Sequence, residues 1–372
     1  MLQPARAWVQ LPNSMRDEDL RLAWVWPPFG DEFLQAWADL YHCDPKATPA
    51  QHPAWCTAFD AIILAAYRGD QLVFVLPLQK HKGALRTITG DYGGCVGDLG
   101  PDALQTLARF LRASSPTSLL DLRHLRFDSP LLPSTDEGIS KQTIEGMQVA
   151  AMPHQTFYRL EGLTDYQAFQ ARISANLNRQ LAYDMRRLGK EVGEVSHRIA
   201  TKETLDQDFQ TLVDLHQARW QARGKPGAFA NPSFKQATRQ LLEALIPHGE
   251  GVLITLRAAG KPIGALLGYR HGGTFCYLTS GIDESHAKYS PGKALVHLAI
   301  KHAIEQGDHT FDFMLGEEAY KQRWGTTGRT THRLILAKKN IAGILGVAAL
   351  IQKAKRGAKK ATATQEPEAP SS

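Results

Sequence analysis

The sequence predicts an α/β (α+β) fold in which two similar units follow one another, each a mixed, mainly antiparallel sheet flanked by helices. Two observations carry this expectation. Ile62 to Gly90 reads IILAAYRGDQLVFVLPLQKHKGALRTITG, and Val252 to Gly281 reads VLITLRAAGKPIGALLGYRHGGTFCYLTSG. Each is an apolar strand, a short glycine turn, a second apolar strand, a basic-glycine turn and a third strand. Three strands joined by tight turns form an antiparallel meander, and its recurrence predicts a tandem repeat. The second observation is the stretch from His286 to Gly325, HAKYSPGKALVHLAIKHAIEQGDHTFDFMLGEEAYKQRWG. It reads as loop, amphipathic helix and apolar strand, and it empties into ionisable residues where many α/β-type folds build a ligand site.

Taken in order, the first meander is followed by a helix near Pro101–Ala113 and a strand near Ser118–Arg123. The polar segment Asp128–Gln148, with its Pro and Gly, reads as a connection. A strand around Thr156–Leu160 opens the second unit. A long helix from about Thr164 to Lys190, a strand at Glu194–Ile199 and helices over Lys202–Ala222 and Phe234–Leu245 precede the second meander. Gly307 then stops the helix that begins after Ser290, and Thr310–Leu315 forms the next strand. A strand at Arg333–Lys338, a helix over Ile341–Lys355 and a low-complexity tail complete the chain. The expected divisions are an extension at 1–20, a non-catalytic domain at 21–150 and a catalytic domain at 151–340. A helix at 341–356 and a disordered tail at 357–372 follow.

Composition excludes several classes. At 372 residues, 43% of them hydrophobic and 22% charged, the chain has ordinary globular values and material for two cores. The formal charge of +6 resides in a tail. Lys338, Lys339, Lys353, Lys355, Arg356, Lys359 and Lys360 crowd into one acid-free stretch, so the body is nearly neutral and net charge does not imply nucleic-acid binding. Cys43, Cys56, Cys95 and Cys276 are scattered, which suits a reducing cytoplasm and argues against a structural zinc site. The fourteen histidines show no metal-ligand spacing, so no metal is expected. The N-terminus lacks the apolar core of a signal peptide, and no apolar run is long enough to span a bilayer.

The stretch after Tyr289 has the features of an anion cradle. Ser290 is a plausible N-cap, Pro291 fits the first helical position, and Gly292 permits close approach to the backbone. The first-turn N–H groups and the helix dipole favour a phosphate, and Lys293 adds a charge. A capped helix without any ligand is the bland alternative.

Tyr289-Ser290-Pro291-Gly292, Phe311-Asp312-Phe313, Gly316-Glu317, Tyr320-Lys321 and Trp324 together resemble the GNAT superfamily. More narrowly they resemble the acetyltransferase family of bacterial cellulose and exopolysaccharide biosynthesis (CelD-like), which is related to FemAB-type aminoacyl transferases. Leu215 to Trp220 and Ala54-Trp55 match too, and the likeness spans about residues 20–340. The glycine-rich Q/R-x-x-G-x-G/A signature of typical GNAT enzymes is absent. The resemblance implies acyl transfer from acetyl-CoA or another acyl-CoA to an amine or hydroxyl. The Ser290–Ala294 turn, with Ser290, Gly292, Lys293 and Ala294, would cradle the donor. Tyr320 stands where such enzymes place a tyrosine that protonates the leaving thiolate. Asp312 and Glu317 are the nearest carboxylates for a base, and Lys321 would neutralise a carboxylate or the oxyanion. The alternatives are a Tyr320 packed on Trp324 and a buried, hydrogen-bonded Asp312.

A second constellation is His216, Arg219, Trp220 and Arg223, where His216, Arg219 and Arg223 share a helix face and lead into a loop that can close over a substrate. Arg172, Arg179 and Arg186, seven apart on the long helix, point one way: a solvated face or an anionic-ligand platform. The C-terminal helix docks on its domain or lies on an anionic membrane.

The leading reading is an acyltransferase acting on a sugar or cell-envelope precursor, cytoplasmic or at the inner membrane face, in a bacterium. A FemAB-like enzyme using aminoacyl-tRNA is the second reading, and the only one that brings in a nucleic acid. A non-catalytic component of a polysaccharide-synthesis complex is the third.

Overall fold

The computed structural model describes residues 7–9, 20–88, 92–133, 139–341 and 343–352. The chain begins with β1 (Ala7–Val9), β2 (Leu20–Val25), α1 (Asp31–Cys43) and the short α2 (Pro53–Cys56). The first meander is β3 (Ile62–Arg68), β4 (Gln71–His81) and β5 (Ala84–Thr87), followed by β6 (Val96–Gly97), α3 (Ala103–Ser114) and β7 (Leu119–Leu125). A hairpin of β8 (Ser140–Ile144) and β9 (Met147–Glu161) leads to α4 (Tyr166–Arg172), α5 (Ala175–Glu191), β10 (Val195–Ile199), α6 (Leu205–Gln221) and α7 (Pro232–Leu245). The second meander is β11 (Gly251–Ala258), β12 (Lys261–His271) and β13 (Thr274–Ile282). After it come α8 (Pro291–Glu305), β14 (Thr310–Leu315) and β15 (Thr327–Lys338).

Two compact units emerge, neither contiguous in sequence. One comprises residues 1–28, 62–155 and 330–372, the other 29–61 and 156–329. The segment with α1 and α2 is therefore counted with the second unit, whereas the sequence division assigned it to 21–150. Its anchor is aromatic: Trp55 meets Phe234 of α7 edge-on at 5.6 Å between ring centroids.

The same succession builds each unit. In the first, β2, β3, β4 and β5 pair antiparallel, and β5 then pairs parallel with β7, the strand that follows α3. In the second, β10 to β13 pair antiparallel and β13 pairs parallel with β14, the strand that follows α8. Each meander slips register just before its first hairpin, at Ala66/Tyr67 and at Leu256/Arg257. The turns use Gly69 and Gly260 in left-handed conformations that only glycine adopts without strain.

The second unit's core is Leu- and Ile-rich and seats α8 against the sheet through Leu295, Ala299 and Ile300. Leu177, Leu181 and Leu188 of α5, at helical spacing, join the same core.

Three expectations from the sequence are corrected. The long helix at Thr164–Lys190 is two helices, because Ile173 is extended and buried while the Ser174 hydroxyl caps the Leu177 N–H at 3.2 Å. Arg172 therefore does not continue the stripe of Arg179 and Arg186. The Asp128–Gln148 connection contains β8, and β9 is far longer than Thr156–Leu160. Ser and Thr in polar surroundings hid a two-stranded ladder whose β8 residues are mostly exposed.

The chain is helical at 341 and over 343–352. Val347 and Ile351, four apart, are buried against Ala150, Met152, Ile335 and Ala337. The helix therefore docks on its own unit, and the basic residues from Lys353 onward lie outside the described residues, as do most of the extension and all of the tail. No helix among the described residues is long and apolar enough to cross a membrane. Burying two aliphatic side chains contributes about 1.5–3 kcal/mol each. Truncation after Asn340 is expected to lower unfolding stability by roughly 3 kcal/mol, read by urea titration.

Candidate active site

The site begins where two parallel strands part. Thr274, Phe275 and Cys276 of β13 pair with Thr310, Phe311 and Asp312 of β14, and the register records no further partners between them. A slip between β12 and β13 at Leu267/Gly268 accompanies the departure of β13. On the other strand, Met314 takes a left-handed φ of 60° inside the register shift between Asp312 and Leu315 in the pairing of β14 with β9. A bulge or strained residue at a strand end re-aims the chain, and such features cluster at sites.

Beside this parting lies a cleft of about 310 Å³ within the second unit. Gly292, Lys293 and Val296 come from α8, Tyr277, Ser280 and Ile282 from β13, and Tyr320, Arg323 and Trp324 from the turn after β14. Arg219 of α6 and Leu177 of α5 complete it. Gly281 lets α6 lie directly on β13, since a Cβ there would sit 2.4 Å from the His216 nitrogen. Among the described residues the polar lining is cationic and hydroxylic; the carboxylates of Glu284, held by Arg219, and of Glu318, whose charge acts on Tyr277 and Tyr320, stand outside it.

Hydroxyls form a row. Tyr277 Oη and Ser280 Oγ are 2.6 Å apart. Tyr320 interacts with the Tyr277 hydroxyl, and its ring meets Phe313 at 6.3 Å. Tyr320 is 39% exposed, yet desolvation at its hydroxyl end first, and then neighbouring Tyr277, push its pKa above the ordinary phenol value. Burial likewise raises that of Tyr277. Both therefore hold their protons at neutral pH.

Four predicted donor residues divide between two faces of α8. Gly292 and Lys293 line the cleft, whereas Ala294 lines a separate cavity of about 290 Å³ with His297 and Leu298. Ser290 occupies the N-cap position, but in a left-handed conformation (φ 53°) and without a side-chain cap bond. Its carbonyl takes up the Lys293 and Ala294 N–H groups at 3.0 and 3.2 Å. The backbone donor that remains in this turn is Gly292 N–H, because Pro291 has none.

Of the predicted catalytic residues, only Tyr320 lines the cleft. It packs on Phe313 and Tyr277, while Trp324 stacks on Phe169 at 6.4 Å. Asp312 is buried, ion-paired with Arg159 at 3.2 Å, and accepts the Met314 N–H at 2.8 Å. Glu317 accepts a hydrogen bond from Thr156 Oγ1 at 2.7 Å and is exposed. Lys321, 2% exposed, donates to the carbonyls of Leu315 at 2.7 Å and of Met314 and Gly316 at 3.3 Å, and pairs with Glu318.

The first unit repeats the Asp312 arrangement. Asp121, on the corresponding strand β7, is buried and held by Arg333 at 2.8 Å. A pair repeated in the unit without the Gly-Glu and Tyr-Lys ending is an element of the fold.

The second constellation separates as well. Arg219 and Arg223 both donate to Glu284, at 3.1 and 3.0 Å, so their shared face is partly neutralised. His216 is buried against Trp220 and Phe229, and burial lowers its pKa, so it brings no charge at neutral pH. Trp220 is half-buried with Lys225 Nζ 5.4 Å from its ring centroid. The loop after α6 is tied down by Phe229, buried among Phe209, His216 and Phe234. Tyr277, Ser280 and Arg323 were not singled out in the sequence. Their signal was the run of hydroxyls in Tyr-Leu-Thr-Ser, which a strand pattern absorbs.

Residues 175–322, which contain the whole cleft except Arg323 and Trp324, match a family model described as Acetyltransferase (GNAT) domain. Those residues carry the features of a GNAT-type acyltransferase domain. No curated protein matches the sequence. Among solved structures, the C-terminal domain (DUF2156) of a protein described as a lysylphosphatidylglycerol synthetase, from Agrobacterium fabrum, is 12% identical with a TM-score of 0.57. The match covers 87% of this chain and 95% of that one. FemX is 13% identical, covering 81% and 95%, with a TM-score of 0.56. L-PGS from Bacillus licheniformis is 12% identical, covering 88% and 97%, with a TM-score of 0.55. At these identities the likeness shows the fold, and this chain spans nearly the whole of each.

Removing one partner of a buried ion pair leaves an uncompensated charge at a cost of about 3–5 kcal/mol. Asp312→Asn and Asp121→Asn are each expected to lower stability on that scale in denaturant titrations. Donor affinity of folded Asp312→Asn protein should be unchanged by calorimetry.

Proposed function

We propose that the cleft transfers an acyl group from a phosphate-bearing donor to an amine or hydroxyl, and that the Tyr277–Ser280 and Tyr320 hydroxyls carry the proton. The observation that supports it best is the shared lining: Gly292 and Lys293 at the helix start and the hydroxyl row face one space. The donor's phosphates would lie at Gly292 N–H, the Lys293 ammonium and the Arg323 guanidinium, with the α8 dipole adding to the attraction. Its carbonyl would reach toward Tyr320.

Along the hydroxyl row the acceptor's proton passes to Ser280. It is relayed through Tyr277 to Tyr320, which protonates the leaving atom. The acceptor N or O forms the new bond to the carbonyl carbon as the donor's C–S or C–O bond breaks. A hydroxyl or a neutral amine gives up one proton and the leaving group takes one; an ammonium acceptor first loses a further proton to solvent.

Acyl-CoA is the first donor reading, supported by the acetyltransferase domain match, with a sugar or cell-envelope precursor as acceptor. An aminoacyl ester is the second. Two things support it: the fold likeness to FemX and to the synthetase domains, and the raised Tyr320 pKa, since a weak acid gives its proton to an alkoxide more readily than to a thiolate. The C-terminal helix leaves Ile341, Ile344 and Leu345 exposed ahead of the basic tail, which is compatible with a membrane-borne acceptor.

Calorimetry with acetyl-CoA, longer acyl-CoAs and CoA, beside an aminoacyl-tRNA binding assay, separates the donors. Binding of neither class defeats the proposal. At Gly292 a Cβ meets only Ile282 Cγ2, at 3.8 Å, so Gly292→Val should fold normally with its extra methyls intruding on the cleft. Donor affinity is expected to fall by at least about tenfold, or about 1.4 kcal/mol, with melting temperature retained.

Tyr320→Phe and Tyr277→Phe should each lower turnover by about 10²–10⁴, with donor affinity intact. As members of one relay their double variant should be no slower than the worse single. Multiplying losses would show independent roles, and full turnover in both singles would remove the hydroxyls from the chemistry.

A further inference from the structure

Away from the cleft, the second unit gathers three side chains from distant parts of the sequence. His42 ends α1, Glu250 precedes β11 and His271 ends β12. One candidate ligand atom from each lies within 4.8 Å of the others. His42 Nδ1 is 3.6 Å from Glu250 Oε2, and His271 Nδ1 is 3.4 Å from Glu250 Oε1. Ligand atoms around a tetrahedral zinc, with bonds of about 2.0–2.1 Å, stand roughly 3.3 Å apart; each histidine is near that distance from one of the two Glu250 oxygens, and the set as a whole lies within 4.8 Å, so a bound ion would draw it together. None of the three lines the cleft.

The hydrogen bonding fixes what these atoms offer. His271 is buried, and its Nε2 lies 2.8 Å from the Asp44 carbonyl, to which it must donate. In the neutral ring Nδ1 is then a lone pair directed at a carboxylate oxygen. A backbone carbonyl holding the far nitrogen is the usual support of a metal-bound histidine. Glu250 Oε2 is buried without a hydrogen-bond partner, since His42 Nδ1 stands just beyond reach. The ring nitrogens of His42 and His271 thus converge on the Glu250 carboxylate around one cation, a metal ion or the proton of an imidazolium. The frame is rigid: a Cβ at Gly272 would sit 2.1 Å from the Pro45 carbonyl oxygen, so the segment after α1 lies on the β12 turn by backbone contact. His52 is engaged elsewhere, its Nδ1 accepting the Ala54 N–H at 3.1 Å.

We propose that His42, Glu250 and His271 bind one divalent transition-metal ion of the zinc class, with water as fourth ligand, and that the ion fastens the α1–α2 segment to the end of the second meander. Two imidazoles and one carboxylate are a common zinc set. Spacing along the sequence could not display such a set, because the three residues lie in segments more than twenty residues apart.

The test uses tag-free, chelator-treated full-length protein at neutral pH, titrated with zinc chloride by calorimetry and with cobalt chloride by visible absorption. One saturable equivalent is expected, with cobalt bands of tetrahedral intensity and a zinc-dependent rise in melting temperature. His42 is exposed, so His42→Gln should fold as the parent does. It should weaken zinc binding by at least about tenfold and abolish the thermal shift. Glu250→Gln should do the same. Absence of saturable binding would mean that a proton is the cation and would overturn the proposal. Zinc affinity unchanged in His42→Gln would place the ion elsewhere and would overturn it equally.

Discussion

Everything at the cleft depends on how β14 leaves β13. Parallel strands that separate expose unpaired backbone groups, and a buried carbonyl or N–H without a partner costs about 1–3 kcal/mol. Here side chains make up the missing partners. Asp312 accepts the Met314 N–H, and the Lys321 ammonium gathers the carbonyls of Met314, Leu315 and Gly316. Arg159 balances the Asp312 charge from β9, and Glu318 balances Lys321. Without this network the strand would have to pair onward with β13, and the space beside it would close.

Residue type alone therefore misdirects the search for catalytic groups. A buried Asp and a buried Lys beside an acyltransferase cleft look like a base and an oxyanion stabiliser. Here both are engaged by partners away from the cleft lining, and the Asp121–Arg333 pair repeats half of that arrangement in the other unit. In the proposed reaction the proton is carried instead by the hydroxyls of Tyr277, Ser280 and Tyr320, the tyrosines among them holding raised pKa values. The cations Arg219, Lys293 and Arg323 line the same cleft, where the proposed donor's phosphates would meet them.

The duplicated fold explains how one unit is free to specialise. Both carry the bulged meander, the crossover helix and the parallel strand with its buried Asp–Arg pair. Only the second follows that strand with Gly-Glu and Tyr-Lys, and only there does a described cleft bring a helix start and a tyrosine together. Stability features are shared, and the site is an addition made in the loops, where change costs the core least.

By itself the sequence determined the repeat, the meanders, the crossover helix with Pro291 at its start and Gly307 beyond its end, and Tyr320 at the cleft. These follow from local periodicity and turn chemistry, which neighbouring residues encode. It did not determine partners across strands. That Asp312 meets Arg159, that Arg219 and Arg223 share Glu284, and that Ser174 breaks a helix whose apolar pattern runs on are outcomes of register and packing. The same holds for His42, Glu250 and His271, which converge only when α1 lies against the end of β12. Spacing along a chain reports neighbours on one helix or strand, whereas sites assembled from several elements exist only once those elements have packed.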